Sequence, residues 1–141
     1  MLNLNNLTIL VVSGQYDLSD IKFKLECIGF KKSKIKIAIN IDFALLAIDS
    51  MGKNGKHFDL IIFNCSDICD LEMIESLVDF KKKELVSLTP TIVMVHKDYL
   101  ESLTNSNKFK DSKLIFEKFI FSEVSENELK EMIEYALKDK K

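Results

Sequence analysis

Arginine is absent from this 141-residue chain: all 20 basic residues are lysines, set against 22 acids for a net charge of −2. Reading guanine or gripping phosphate in a bidentate way uses the planar guanidinium fork, which lysine lacks. A near-neutral chain also projects no long-range field toward nucleic acid or an anionic membrane. Proline occurs once and glycine four times, too few for a sandwich or a succession of short hairpins. The three cysteines, Cys27, Cys65 and Cys69, cannot all pair within one chain. Met1 to Asn6 hold no basic residue ahead of an apolar stretch, so no secretory signal is expected. No apolar run approaches the ~20 residues that span a bilayer. The expectation is a reduced, cytoplasmic protein with no membrane or nucleic-acid partner, built as a single domain over residues 1–141.

What is present is a regular alternation. Apolar residues make up 47% of the chain, enough for a sizeable core. Residues 8–12 (TILVV), 60–63 (LIIF) and 91–95 (TIVMV) are short, β-branched runs of the kind buried on both faces of a sheet. Ile35, Ile37 and Ile39 alternate with other residues, as a strand near a sheet edge would, and residues 116–121 read as a further strand. Between these lie helical stripes. Leu18, Ile21, Leu25 and Ile28 end at Gly29, and Ile41, Ala44, Leu45, Ile48 and Met51 break at residues 52–55. Leu71, Ile74, Leu77 and Val78 form another, and Tyr99, Leu100 and Leu103 suggest a helix stopping near Asn105. The last stripe, Leu129, Met132, Ile133, Ala136 and Leu137, follows Ser125 and Glu128 at capping-box spacing.

Strand and helix repeated five times imply an α/β fold: a doubly wound five-stranded parallel sheet of flavodoxin-like order 2-1-3-4-5, with helices on both faces. A site in such a sheet lies beyond the C-terminal ends of its strands. The residues to inspect follow Val12, Phe63, Met94 and Phe121.

In order and length these segments resemble the receiver domain of bacterial response regulators over nearly the whole chain. Residues 8–12 resemble its first strand, residues 58–63 (FDLIIF) the run before its phosphorylated aspartate, and residues 90–95 its fourth strand. The resemblance implies an acid pair after the first strand, but Ser13 and Gly14 stand there. It implies a phosphoacceptor aspartate after Phe63, where the chain has Asn64. A Thr or Ser at the end of the fourth strand is replaced by Val95, and a Lys after the fifth by Ser122. The resemblance also implies a partner-binding face on the fourth helix, fifth strand and fifth helix. Phe119 matches its switch aromatic there, and Phe121 and Tyr99 are candidate contacts beside it. Phe119 and Phe121 share one face of a strand, so core packing is the alternative role for them.

An amide is a poor nucleophile for an acyl phosphate, Mg²⁺ wants carboxylate oxygens, and without the lysine no cation neutralises a phosphoryl group. Asp17 and Asp67 lie in neighbouring loops, where Asp17 reads first as a helix cap. Cys65, Cys69 and His96 fall near one sheet edge, but C-x₃-C with a distant histidine is a poor zinc pattern, and no metal is expected. Ser13 to Asp17 offer one glycine for a phosphate cradle, so no flavin or nucleotide cofactor is expected either. The lysine clusters at Lys31, Lys32, Lys34 and Lys36 and at Lys81 to Lys83 read as solvated surface or as guards of an edge strand. The expectation is a non-enzymatic, non-phosphorylatable pseudo-receiver that works as an interaction or adaptor module with a signalling protein partner. The alternative is a ligand-responsive flavodoxin-like domain holding a small molecule in the altered pocket.

Overall fold

The computed structural model describes residues 4–13, 18–65, 89–95, 118–121 and 125–138. Among the described residues the elements are, in chain order, β1 (Ile9–Ser13), α1 (Leu18–Ile28), β2 (Ile35–Ala38), α2 (Ile41–Lys53), β3 (Leu60–Cys65), β4 (Thr91–Val95), β5 (Lys118–Phe121) and α3 (Glu126–Lys138). The strands pair in the order β2-β1-β3-β4, all parallel, and β5 runs parallel beside β4. Every neighbouring pair is therefore joined by a crossover rather than a hairpin, which is why so few turn residues suffice. The helices expected over residues 71–78 and near Tyr99 lie outside the described residues.

Side chains of β1, β3 and β4 point alternately to two faces, and both are buried. On one face Ile9, Val11, Leu60, Ile62, Ile92 and Met94 pack with Ile21 and Leu25 of α1 and with Leu129 and Ile133 of α3. Those helix residues are the stripe the sequence shows. On the other face Leu10, Val12, Ile61, Phe63 and Val93 are also buried. Here α2 presents Ala44 and Ile48, and Ile48 and Met51 border a small cavity with Ile61 and Phe58.

The helix ends are specified locally. Gly29 stops α1 in the left-handed region, at φ +126°. Its N–H donates to the carbonyl of Glu26 and that of Phe30 to the carbonyl of Leu25, a Schellman closure. The same pairing ends α2, with Gly55 at φ +69° and the Lys56 N–H on the Met51 carbonyl. The helix ends at Lys53, inside the segment 52–55 where the sequence placed the break; Gly52 is still helical, at a cost of about 1 kcal/mol relative to alanine. Asn40 caps α2, its Oδ1 accepting from the Phe43 N–H at 2.9 Å. The expected capping box of α3 is present: the Ser125 N–H donates to Glu128 Oε1 at 3.1 Å and the Glu128 N–H to Ser125 Oγ at 3.2 Å. These bonds, the one from the Ser125 backbone first, hold the Glu128 carboxyl below its ordinary pKa.

The end of the sheet where β1 and β3 begin is closed by Asp59. Its Oδ2 accepts from the Thr8 N–H at 2.8 Å, and its own N–H donates to the Thr8 carbonyl at 2.8 Å. Two main-chain groups that precede the β1 ladder are thereby satisfied. Ile62→Ala is expected to cost about 2–5 kcal/mol, since the side chain is fully buried. Asp59→Ala is expected to cost about 1–3 kcal/mol by stranding the Thr8 amide, and Ser125→Ala about 1 kcal/mol. Urea denaturation measures all three, with the exposed Leu46→Ala as a control within about 0.5 kcal/mol.

Candidate functional site at the strand ends

Three of the candidate residues, Ser13, Asn64 and Val95, fall where the strands end. Ser13, the last residue of β1, is in register with Asn64 of β3, and Asn64 with Met94 of β4. One step on, Cys65 is level with Val95 and Val95 with Phe121. Neighbouring strands lie about 4.8 Å apart, so Ser13, Asn64 and Val95 occupy three adjacent strand ends. The sequence placed the stop of β1 at Ser13 and the end of β3 at Asn64. Both are strand residues, and β3 runs on through Cys65, because its ladder with β4 extends that far while the one with β1 ends at Asn64.

Among the described residues the chemistry of this edge is neutral. Ser13, Asn64, Met94, Cys65, Val95 and Phe121 include no carboxylate and no cation. Ser13 itself is only 3% exposed, and the layer beneath it, Val12 and Phe63, is apolar. A hydroxyl and an amide supply neither a charged nucleophile nor an anionic cation-binding pair. Gly14, Ser122 and Tyr99 lie outside the described residues, as do Asp17, Asp67, Cys69 and His96. Phe119 and Phe121 are both on β5, level with Val93 and Val95 of β4.

Among the described residues no three His, Cys, Asp or Glu side chains come together as a metal would need. Cys27 is an exposed free thiol on α1. Partial desolvation raises its pKa, as do a hydrogen bond to Glu126 and the negative charges of Glu126 and Glu26. It is therefore less thiolate-like than an ordinary cysteine at neutral pH and has no place in the strand-end site.

Sequence reasoning missed a second feature. A cavity of about 680 Å³ opens between β2 and α2. Ile39, Phe43 and Leu46, which border it, are 49%, 52% and 63% exposed. A signal for it exists in the sequence: the run from Phe43 to Ile48 is entirely apolar (FALLAI), more than one buried stripe requires.

No family model matches the chain, and no curated protein matches it. Solved structures do. A response regulator receiver domain protein from Clostridium thermocellum superposes with a TM-score of 0.69 at 19% identity, covering 95% of this chain and 96% of its own. A response regulator from Thermotoga maritima superposes at 0.65 and 17% identity, covering 93% and 97%. NtrX from Brucella abortus reaches 0.69 at 21% identity over 95% of this chain but 26% of its own length. The fold is that of a receiver domain.

In that fold the strand-end row of Ser13 and Asn64 sits at the carboxyl edge where open α/β sheets place their sites. No described helix is long and apolar enough to cross a membrane.

Placing a carboxylate at the first of these positions tests the neutrality of the edge. Burial raises the pKa of a carboxyl in Ser13→Asp. Its destabilisation is then absent below the unfolded pKa, near 4, and grows as the pH rises through the folded value. We expect a loss of about 2 kcal/mol or more at pH 7 that is recovered by pH 4, read from urea midpoints. Restoration of stability by Mg²⁺ at pH 7 would reveal a cation site and refute the neutral reading.

Proposed function

We propose that this chain is a pseudo-receiver: a five-stranded, doubly wound receiver-like unit over residues 1–141 that takes no phosphoryl group and acts as a protein–protein interaction or adaptor module in bacterial signal transduction. The observation that carries this is the register of Ser13 with Asn64, two neutral residues at the paired strand ends where the receiver resemblance expects carboxylates. The reasoning is chemical. Acyl phosphate formation needs a carboxylate attacking the phosphorus, Mg²⁺ to offset the charge, and a cation on the transferred group. Asn64 has no carboxylate oxygen to form the bond, and Ser13 and Gly14 leave the cation without its acid pair. With Ser122 in place of the lysine the third element is lost as well. Gly14, Val95 and Ser122 complete the set of altered positions.

A domain of this kind signals by association. Phe119, Phe121 and Tyr99 are the proposed contact residues, in the cytoplasm, with a signalling protein as partner, and neither a cofactor nor a metal takes part. Aromatic anchors are favoured at the centre of such contacts.

Intact-mass spectrometry after incubation with Mg²⁺ and acetyl phosphate is the deciding experiment. The expected result is no phosphoryl adduct on the wild type and none on Asn64→Asp, because that variant still lacks the acid pair and the lysine. An adduct on the wild type would overturn the proposal; one on Asn64→Asp alone would show that the supporting machinery survives elsewhere in the pocket.

A further inference from the structure

We infer that the groove between β2 and α2 is a docking site for an extended acidic peptide segment, which adds as a further strand to the edge of β2. This goes beyond the pseudo-receiver reading, because it concerns a different face of the molecule and stands on the groove alone.

Three observations carry it. Among the described residues β2 pairs with β1 and with no other strand, so it ends the sheet. The outward-directed N–H and C=O groups of an edge strand are a template for another strand. Beside this edge lies the cavity of about 680 Å³, walled by Ile37 and Ile39 on one side and by Phe43, Leu46, Ala47 and Met51 on the other. Three large apolar side chains stand half exposed there, at Ile39, Phe43 and Leu46, a concentration that favours a partner over water. The third observation is charge. The charged residues lining the groove are Lys34 and Lys36, with no acid among the lining residues, and exposed Lys31 and Lys32 precede them. Asp42 and Asp49 belong to α2 but do not line the groove.

Charge also selects the occupant. A second copy of this chain paired through β2 would set Lys36 against the lysines of its twin, and like charges facing each other across strands are destabilising. An acidic strand reverses the sign of that interaction. Successive side chains of an added strand alternate between faces. Every second residue therefore reaches the α2 side of the sheet, where Lys36 and the apolar residues of α2 stand, while Ile37 packs toward α1 on the other face. The matching segment is extended, with aliphatic or aromatic residues interspersed with Asp and Glu.

The test is a selection of displayed random 12-residue peptides on the full chain, followed by measurement with the enriched peptide made synthetically. We expect enrichment of acidic, apolar-bearing sequences whose binding weakens at least tenfold in Lys36→Glu and in Leu46→Glu and falls with added salt. Both positions are exposed, and an unchanged thermal transition confirms that the variants fold; Lys34→Glu replaces either one that does not. Peptide binding should also slow hydrogen exchange at the amides of β2. Absence of enrichment, enrichment of basic or uncharged sequences, or binding indifferent to all the substitutions would overturn the proposal. Binding without protection of the β2 amides would mean a helical occupant and would overturn it too. None of these results bears on phosphoryl transfer, which the mass measurement decides separately.

Discussion

The central strands β1, β3 and β4 are buried on both faces, and the rest of the molecule is arranged around that constraint. A strand in this position has no solvent side, so its sequence loses polar alternation and becomes a continuous apolar run. Leu10, Leu60, Ile62, Ile92 and Val93 are all wholly inaccessible. Amphipathic helices are then needed on both sides, and α1 with α3 on one face and α2 on the other carry their apolar residues at the spacing this requires. Polar chemistry is left to the ends of the strands and to the outer edge of the sheet.

The two ends of the sheet are used differently. Where the strands begin, Asp59 spends its carboxylate on the Thr8 amide. The most telling piece of the receiver resemblance, the FDLIIF run, thus contains an acid whose observed role is to hold two strands together. Where the strands finish, the paired positions hold a serine and an asparagine rather than acids. A buried carboxylate needs a cation or several hydrogen bonds to be tolerated. A chain without acids at these positions has no such demand to meet and can close the edge with neutral residues.

The strands and the terminal helices were legible because they rest on local rules. The runs at residues 91–95 and 60–63, the stop at Gly29 and the Ser125–Glu128 cap each depend on residues close together in the chain. The boundaries that reading set short, at the ends of β1 and β3, are those where the ladder to a neighbouring strand overrides a residue's preference. The candidate site was legible as a set of positions, and its register as neighbours was not. The groove beside β2 was not anticipated at all. Lys36 and Phe43 come together there through the way α2 folds back along β2, and nothing in their sequence separation marks them as a pair.

By itself, then, the sequence determined the alternation of strand and helix, the identity of the buried runs, the helix ends and the absence of acids at the strand-end positions. Each follows from the side chain's own chemistry or from partners a turn away. Only the tertiary structure decided that Ser13 and Asn64 stand level at one edge, that Asp59 belongs to the opposite end, and that half-exposed apolar residues and lysines share one groove. Those facts depend on which strands pair and in what register. Hydrogen bonds between distant segments set that register, and burial of both faces locks it, because slipping by one residue would turn every side chain to the wrong face.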